Sequence, residues 1–260
     1  MKRILTFLIA SLCIISLCSV NVFAADESLS WYCVRNKEHK QPIVDSNLQL
    51  IEEYDGYYVD KRYGDNCDEK VIYLTFDVGY ENGNVEKILN VLKEENVPGA
   101  FFILENVINK NKDLLIRMAD EGHLVCNHTS THLDVSKCKT IDEFRFETER
   151  LEKAYREATG REMTKFFRPP EGKFSRQSME YAKTLGYKTI FWSFAYADWD
   201  NASQMSHQAA KDKIMSNIHN GEIMLLHPTS ATNAAILGEV IRELKSQGFR
   251  FASLNELSDV

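Results

Sequence analysis

Val71-Ile72-Tyr73-Leu74-Thr75-Phe76-Asp77-Val78-Gly79-Tyr80 is the stretch on which the rest of the chain turns. Val71 to Phe76 is an apolar, β-branched run and reads as a buried strand. It ends in a carboxylate, with a glycine two residues on. Barrels of alternating strands and helices present their reacting groups at the C-terminal ends of buried strands. Asp77 by itself also reads as a helix N-cap for the segment that follows.

Working outward, strand-like and helix-like stretches alternate. Strands are expected near 71–76, 100–103, 123–127, 166–168, 188–192, 223–226 and 249–254. Helices are expected near 83–95, 113–121, 140–159, 175–185, 204–219 and 234–246. Val85, Ile88, Leu89 and Leu92 recur at helical spacing, and Gly160, Gly186 and Gly248 stand where helices stop. Thr140-Ile141-Asp142-Glu143 has the form of a capping box. Strict alternation predicts parallel strands joined by crossover helices. The expected fold class is α/β, a distorted (β/α)7 barrel over residues 70–257.

Residues 25–69 are polar and mixed, with no clean period, and are expected to form a small N-terminal extension packed on the barrel. Asp55-Gly56 reads as a hairpin turn. Trp31, Tyr32, Tyr54, Tyr57 and Tyr58 either cover a barrel face or stack on sugars.

The first 24 residues read as a secretory signal peptide. Lys2 and Arg3 form its positive end, Ile4 to Val20 is almost wholly apolar, and Val22-Phe23-Ala24 offers a cleavage site. The alternative is an uncleaved membrane anchor, for which the apolar run is slightly short. Export without stable membrane insertion is therefore expected. With 44% hydrophobic and 27% charged residues among 260, the composition is that of a globular protein. Without Lys2 and Arg3 the net charge moves from −7 to −9, which argues against nucleic acid as a partner. Export permits disulfides. Cys33 with Cys67 is one candidate pair, and Cys126 is a core thiol, a partner of Cys138 or a sulfur ligand to a metal.

If the chain is a barrel, the residues just past the strands carry the chemistry. These are Asp77, the run Asn127-His128-Thr129-Ser130-Thr131-His132, Arg168-Pro169-Pro170-Glu171-Gly172, Asp198-Trp199 and His227. Two imidazoles four residues apart point the same way on one helical turn and suit zinc or another borderline divalent ion. Arg168 sits on a turn stiffened by two prolines and either holds Asp77 or makes a structural salt bridge. His227 is either a core histidine or, beside Asp198, a protonated acid, because a carboxylate neighbour raises its pKa.

In order, Thr75-Phe76-Asp77-x-Gly79, His128-x3-His132, Arg168-Pro169-Pro170-x-Gly172, Asp198-Trp199 and Leu226-His227 resemble the five motifs of the polysaccharide deacetylase (NodB-homology) family. Phe76-Asp77-x-Gly79-Tyr80-Glu81-Asn82-Gly83, with Ser30-Trp31 and Val34-Arg35-Asn36-Lys37, is similar to the delta-lactam-biosynthetic de-N-acetylases of spore-forming bacteria. The resemblance implies metal-assisted de-N-acetylation of N-acetylmuramic acid in spore-cortex peptidoglycan, in the cell wall or forespore envelope. It implies Asp77 as base, oriented by Arg168, and His227 paired with Asp198 as acid. It implies His128 and His132 as metal ligands, a backbone N–H at Glu171 on the oxyanion, and Trp199 and Leu226 walling the acetyl methyl. The family usually has a second aspartate where this chain has Val78, so a divalent metal, zinc by its ligands, is expected to bind weakly. The alternatives are a deacetylase of N-acetylglucosamine in wall or chitin, and a non-catalytic glycan-binding module.

Overall fold

The computed structural model describes residues 27–64 and 66–259; the expected signal segment lies outside the described residues. In chain order the strands and helices are β1 (Leu29–Ser30), β2 (Gly56–Tyr57), β3 (Lys70–Val78), α1 (Asn84–Glu94), β4 (Ala100–Ile103), α2 (Glu105–Lys110) and α3 (Lys112–Asp120). There follow β5 (Leu124–Asn127), α4 (Ile141–Thr159), β6 (Phe166–Phe167), β7 (Lys173–Phe174), α5 (Arg176–Thr184), β8 (Lys188–Ile190), α6 (His207–Met215), β9 (Glu222–Leu226), α7 (Ala231–Ser246) and β10 (Phe249–Phe251).

β3 is the hub. Thr75 to Val78 run parallel to Ala100 to Ile103 of β4, Ile72 to Phe76 to Glu222 to Leu226 of β9, and Lys70 to Ile72 to Phe249 to Phe251 of β10. The sheet continues from β4 through β5 and β6 to β8. Just past β8, a parallel bridge between Phe194 and Met224 brings the sheet back to β9 and curls it into the expected barrel. Seven strands, β3, β4, β5, β6, β8, β9 and β10, carry the alternation read from the sequence.

Both faces of this sheet are covered, which is why β3 reads as an unbroken apolar run. Side chains alternate along a strand. Val71 and Tyr73 point into the barrel with Ala100, Phe102, Cys126 and Ile223. Ile72, Leu74 and Phe76 point outward to the apolar stripes of α1 and α7, and Val78, at the C-terminal end of the strand, packs on the same cluster while also bordering the cavity at the strand ends.

The extension departs from its expected form. Asp55 does not open a hairpin; it takes a left-handed conformation that ends the 3₁₀ turn Gln49–Tyr54. Gly56-Tyr57 then becomes a parallel partner of β8. Glycine is needed at 56 because a Cβ there would sit 2.7 Å from the Ile51 carbonyl oxygen. The capping box of α4 is also half made. Thr140 accepts from the Glu143 amide, but the Glu143 carboxylate accepts from Lys139, one residue earlier than the motif implies. α6 is shorter than expected at both ends, because Ser206 caps it at Ala209 and the chain turns after Met215. α2 was not expected at all.

The four described cysteines are free. Cys126 lies inside the barrel and Cys138 in a separate cluster under α4 with Phe144 and Phe167, so the two do not meet. The Cys33 thiol points instead at the Ser193 carbonyl, 3.3 Å away, and makes no bridge to Cys67. Among the described residues no helix is long and apolar enough to cross a membrane.

Candidate active site

Asp77 is the penultimate residue of β3 and shares the inward parity of Thr75. Arg168, directly after β6, is fully buried inside the barrel. Its guanidinium donates to Asp77 Oδ1 at 2.8 Å, Thr75 Oγ1 at 2.8 Å, the Ile190 carbonyl at 2.9 Å and the Phe191 carbonyl at 3.3 Å. The Phe102 ring lies beneath it, 4.1 Å from centroid to Cζ. A buried charge is tolerable only when its donors are engaged and its partner is close, and this fork meets both conditions. Burial pushes the Asp77 carboxyl up, but the Arg168 guanidinium, with His227 beside it, outweighs burial and holds the group below the ordinary carboxylate value.

His128 is buried after β5. Its Nδ1 lies 2.8 Å from the Arg168 carbonyl and must donate to it. Burial drives its pKa down to about 4, so the ring is neutral and Nε2 carries the lone pair. That lone pair faces Asp77 Oδ2 at 3.6 Å. His132 is exposed, and its ring stands 5.1 Å from that of His128 at 70°. The rings converge, but not on a helical turn. Residues 128–133 form a loop in which Thr129 and His132 are both left-handed, with φ of 65° and 63°. Asn127 Oδ1 accepts from the Thr129 amide, Glu147 from the amide and hydroxyl of Thr131, and Thr129 Oγ1 from the Leu133 amide.

His227 follows β9. Its Nδ1 lies 2.7 Å from Asp198 Oδ1, and its amide donates to Asp198 Oδ2 at 2.8 Å. Asn233 donates to the same carboxylate at 2.6 Å. Burial lowers the His227 pKa, yet the bonded Asp198 more than offsets it, and the net shift is upward.

These groups open on one cleft of about 870 Å³, lined among others by Asp77, His128, His132, Glu171, Trp199 and His227. Trp199 stands 60% exposed at its mouth, its ring 6.0 Å from that of His227. Glu171 is on the rim in a left-handed conformation (φ 57°), with its carboxylate 2.6 Å from Lys173. Leu226 is misplaced by the sequence reading. It points outward into the layer under the helices, and Leu225, of opposite parity on β9, lines the cleft. Thr75, Asn233 and Glu147 also went unread. Thr75, a lone hydroxyl in a buried strand, was a visible signal; the other two hold the site from helices and carried none.

The donors fit a metal only in part. His128 Nε2 and Asp77 Oδ2 are two acceptors facing each other, an arrangement a cation relieves, and His132 adds a second imidazole. Val78, next to Asp77 at the end of the strand, is buried aliphatic surface and offers no donor. Among the described residues no group of three or more histidine, cysteine or acidic side chains is arranged to hold a metal.

The polysaccharide deacetylase family profile matches residues 64–190. The chain is 39% identical over 233 residues to the peptidoglycan-N-acetylmuramic acid deacetylase PdaA of Bacillus subtilis, covering 89% of this chain and 86% of that protein. The solved structure of Bacillus subtilis PdaA, a family 4 carbohydrate esterase, superposes with a TM-score of 0.83 over 89% of this chain and 97% of that one. A family 4 carbohydrate esterase from Bacillus anthracis superposes with a TM-score of 0.73 at 34% identity, over 90% and 97% of the two chains. A peptidoglycan-N-acetylglucosamine deacetylase of Bacillus cereus is 31% identical over 195 residues, 73% of this chain and 88% of that protein. With a carboxylate on a buried arginine, an imidazole on a buried carboxylate and this extent of likeness, the chain belongs to the polysaccharide deacetylases, the family 4 carbohydrate esterases, which are hydrolases and generally metal-dependent.

Proposed function

We propose that this protein is exported and removes the acetyl group of N-acetylmuramic acid in peptidoglycan, leaving a free amine that closes to the delta-lactam of spore cortex. The observation that carries the reading is that one cleft holds both an ionised carboxylate, Asp77, and a protonatable imidazole, His227, each fixed by a buried partner of opposite charge. The substrate class rests on the likeness to PdaA along most of both chains.

Asp77 takes a proton from the attacking water as that water adds to the acetyl carbon. Arg168 keeps Asp77 ionised and aimed. The oxyanion is met by the backbone N–H of Glu171. His227, steadied by Asp198, gives its proton to the nitrogen as the C–N bond breaks, so acetate and the amine leave. Trp199 and Leu225 wall the acetyl methyl. His128 and His132 would hold a divalent ion, zinc by the character of the donors, and loosely, since Val78 contributes nothing. When bound, that ion supplies Lewis-acid polarisation of the acetyl carbonyl.

The test is acetate release from amidase-trimmed and untrimmed peptidoglycan, with and without added zinc, with mass analysis of the fragments. Loss of acetyl from muramic acid is the expected result. Loss from glucosamine alone would move the assignment to that sugar. Val78 favours a second reading, a glycan-binding module without turnover; no acetate from any wall preparation would be its signature.

A further inference from the structure

Past Ile190 the chain leaves the β8 ladder, and its carbonyls need donors from elsewhere. Three of them find side chains of the extension. Trp31 Nε1 donates to the Trp192 carbonyl at 2.9 Å, the Cys33 thiol to the Ser193 carbonyl at 3.3 Å, and Arg35 Nη1 to the Ala195 carbonyl at 3.1 Å. Residues 31, 33 and 35 alternate, as one face of an extended strand does. This segment pairs with the neighbouring strand end as well. β1 is antiparallel to β7, and the Trp31 amide donates to the Gly172 carbonyl at 2.8 Å.

Trp31 thus stands between two walls of the cleft. On one side is the Pro170–Gly172 turn, which carries Glu171; on the other is the segment that brings Trp192, Ala195 and Tyr196 to the lining. The fit is tight. A Cβ on Gly172 would lie 2.8 Å from the Trp192 ring and 3.0 Å from Trp31 Cβ. Trp31 itself is 6% exposed, its ring packed 4.6 Å from that of Phe191. Arg35 is exposed, and its guanidinium lies over the Phe194 ring at 5.2 Å.

We propose that the segment Leu29–Arg35 is a positioning part of the catalytic cleft, in which Trp31, seconded by Arg35, sets the spacing between the Glu171–Gly172 turn and the Trp192–Tyr196 wall. Neither residue touches the reacting atoms. They act through the Glu171 backbone, where the oxyanion donor is placed, and through the wall opposite. The activity arm of the proposal rests on the deacetylation reading above.

The test uses Trp31→Phe, which keeps an aromatic ring and loses the donor, together with Arg35→Met and Arg35→Lys. A misplacement of about 1 Å costs on the order of 100-fold in rate, so a partial shift in Trp31→Phe should lower kcat about 10-fold, with KM nearly unchanged. Arg35→Met should lower kcat by a smaller factor, and Arg35→Lys, which keeps a donor, should recover it. Amide hydrogen exchange of the same proteins should quicken at 170–174 and 192–196 and stay as in the wild type at β3 and α7. Wild-type kcat in both Trp31→Phe and Arg35→Met, or exchange quickened across the whole barrel, overturns the proposal. If Trp31→Phe does not fold, the exposed Arg35 decides through its two variants. If the wild type releases no acetate at all, the deacetylation reading fails, while the exchange pattern still decides this one.

Discussion

Arg168 meets Asp77 at 2.8 Å with one arm of its guanidinium and Thr75 at 2.8 Å with the other, both residues standing on the inward face of β3. The cation therefore fixes the carboxylate from within the barrel and not from the solvent side. Removing one member leaves a buried charge without its counterpart, which typically costs roughly 3–5 kcal/mol. Asp77→Ala should abolish acetate release and lower the unfolding free energy by that order. Asp77→Ala with Arg168→Met should regain part of the stability and none of the activity. Denaturant titration of the three variants measures both.

In the proposed mechanism the alkaline limb of the pH–rate profile should report His227. That mechanism uses its acid form, and Asp198 raises its pKa above the ordinary histidine value. Activity should therefore persist above about pH 6.5, the unperturbed value, before it falls. Asp198→Asn removes the charge that produces the shift, and the limb should move toward acid. Profiles of kcat/KM for the two proteins give the comparison; a limb that stays in place would remove His227 from the role of acid.

Glu222 opens β9 with its carboxyl fully buried, one oxygen accepting from the His219 amide at 3.1 Å and the other without a partner. Burial raises its pKa well above the ordinary value. A raised folded pKa means that the group's contribution is whole below the unfolded value of about 4.3. It is lost as pH climbs through the folded value. Glu222→Gln keeps the shape and cannot ionise. Its Tm should match the wild type near pH 4 and exceed it at pH 8.

Val78 predicts weak metal binding. Replacing it with a donor should tighten zinc by at least the roughly 10–100-fold that lesser changes around metal sites produce. In Val78→Asp, zinc should raise Tm more than in the wild type, because a ligand bound only to the folded state stabilises it by mass action. Equal zinc-induced shifts in the two proteins would show that position 78 does not face the ion.

The barrel was legible because β3 is buried on both faces and its residues announce that in a row. The rim groups were legible because polar residues directly after apolar runs have little other reason to be there. What stayed hidden was parity and distance. Nothing local distinguishes Leu225 from Leu226, since only the register with β3 decides which points inward. A four-residue spacing suggested a helical turn at His128 and His132; two left-handed residues bring the rings together instead. β2 is two residues long, and its partner lies far along the chain, so no window of sequence contains the pair.

That last pairing bears on how the molecule comes into being. Gly56-Tyr57 waits for Thr189-Ile190, and β3 waits for β9 and β10, far along the chain. Long loops must close before these contacts return anything. A polypeptide emerging head first has no way to shut this ring until β9 and β10 are out. Until those late strands arrive, the early ones stand ready but unclosed.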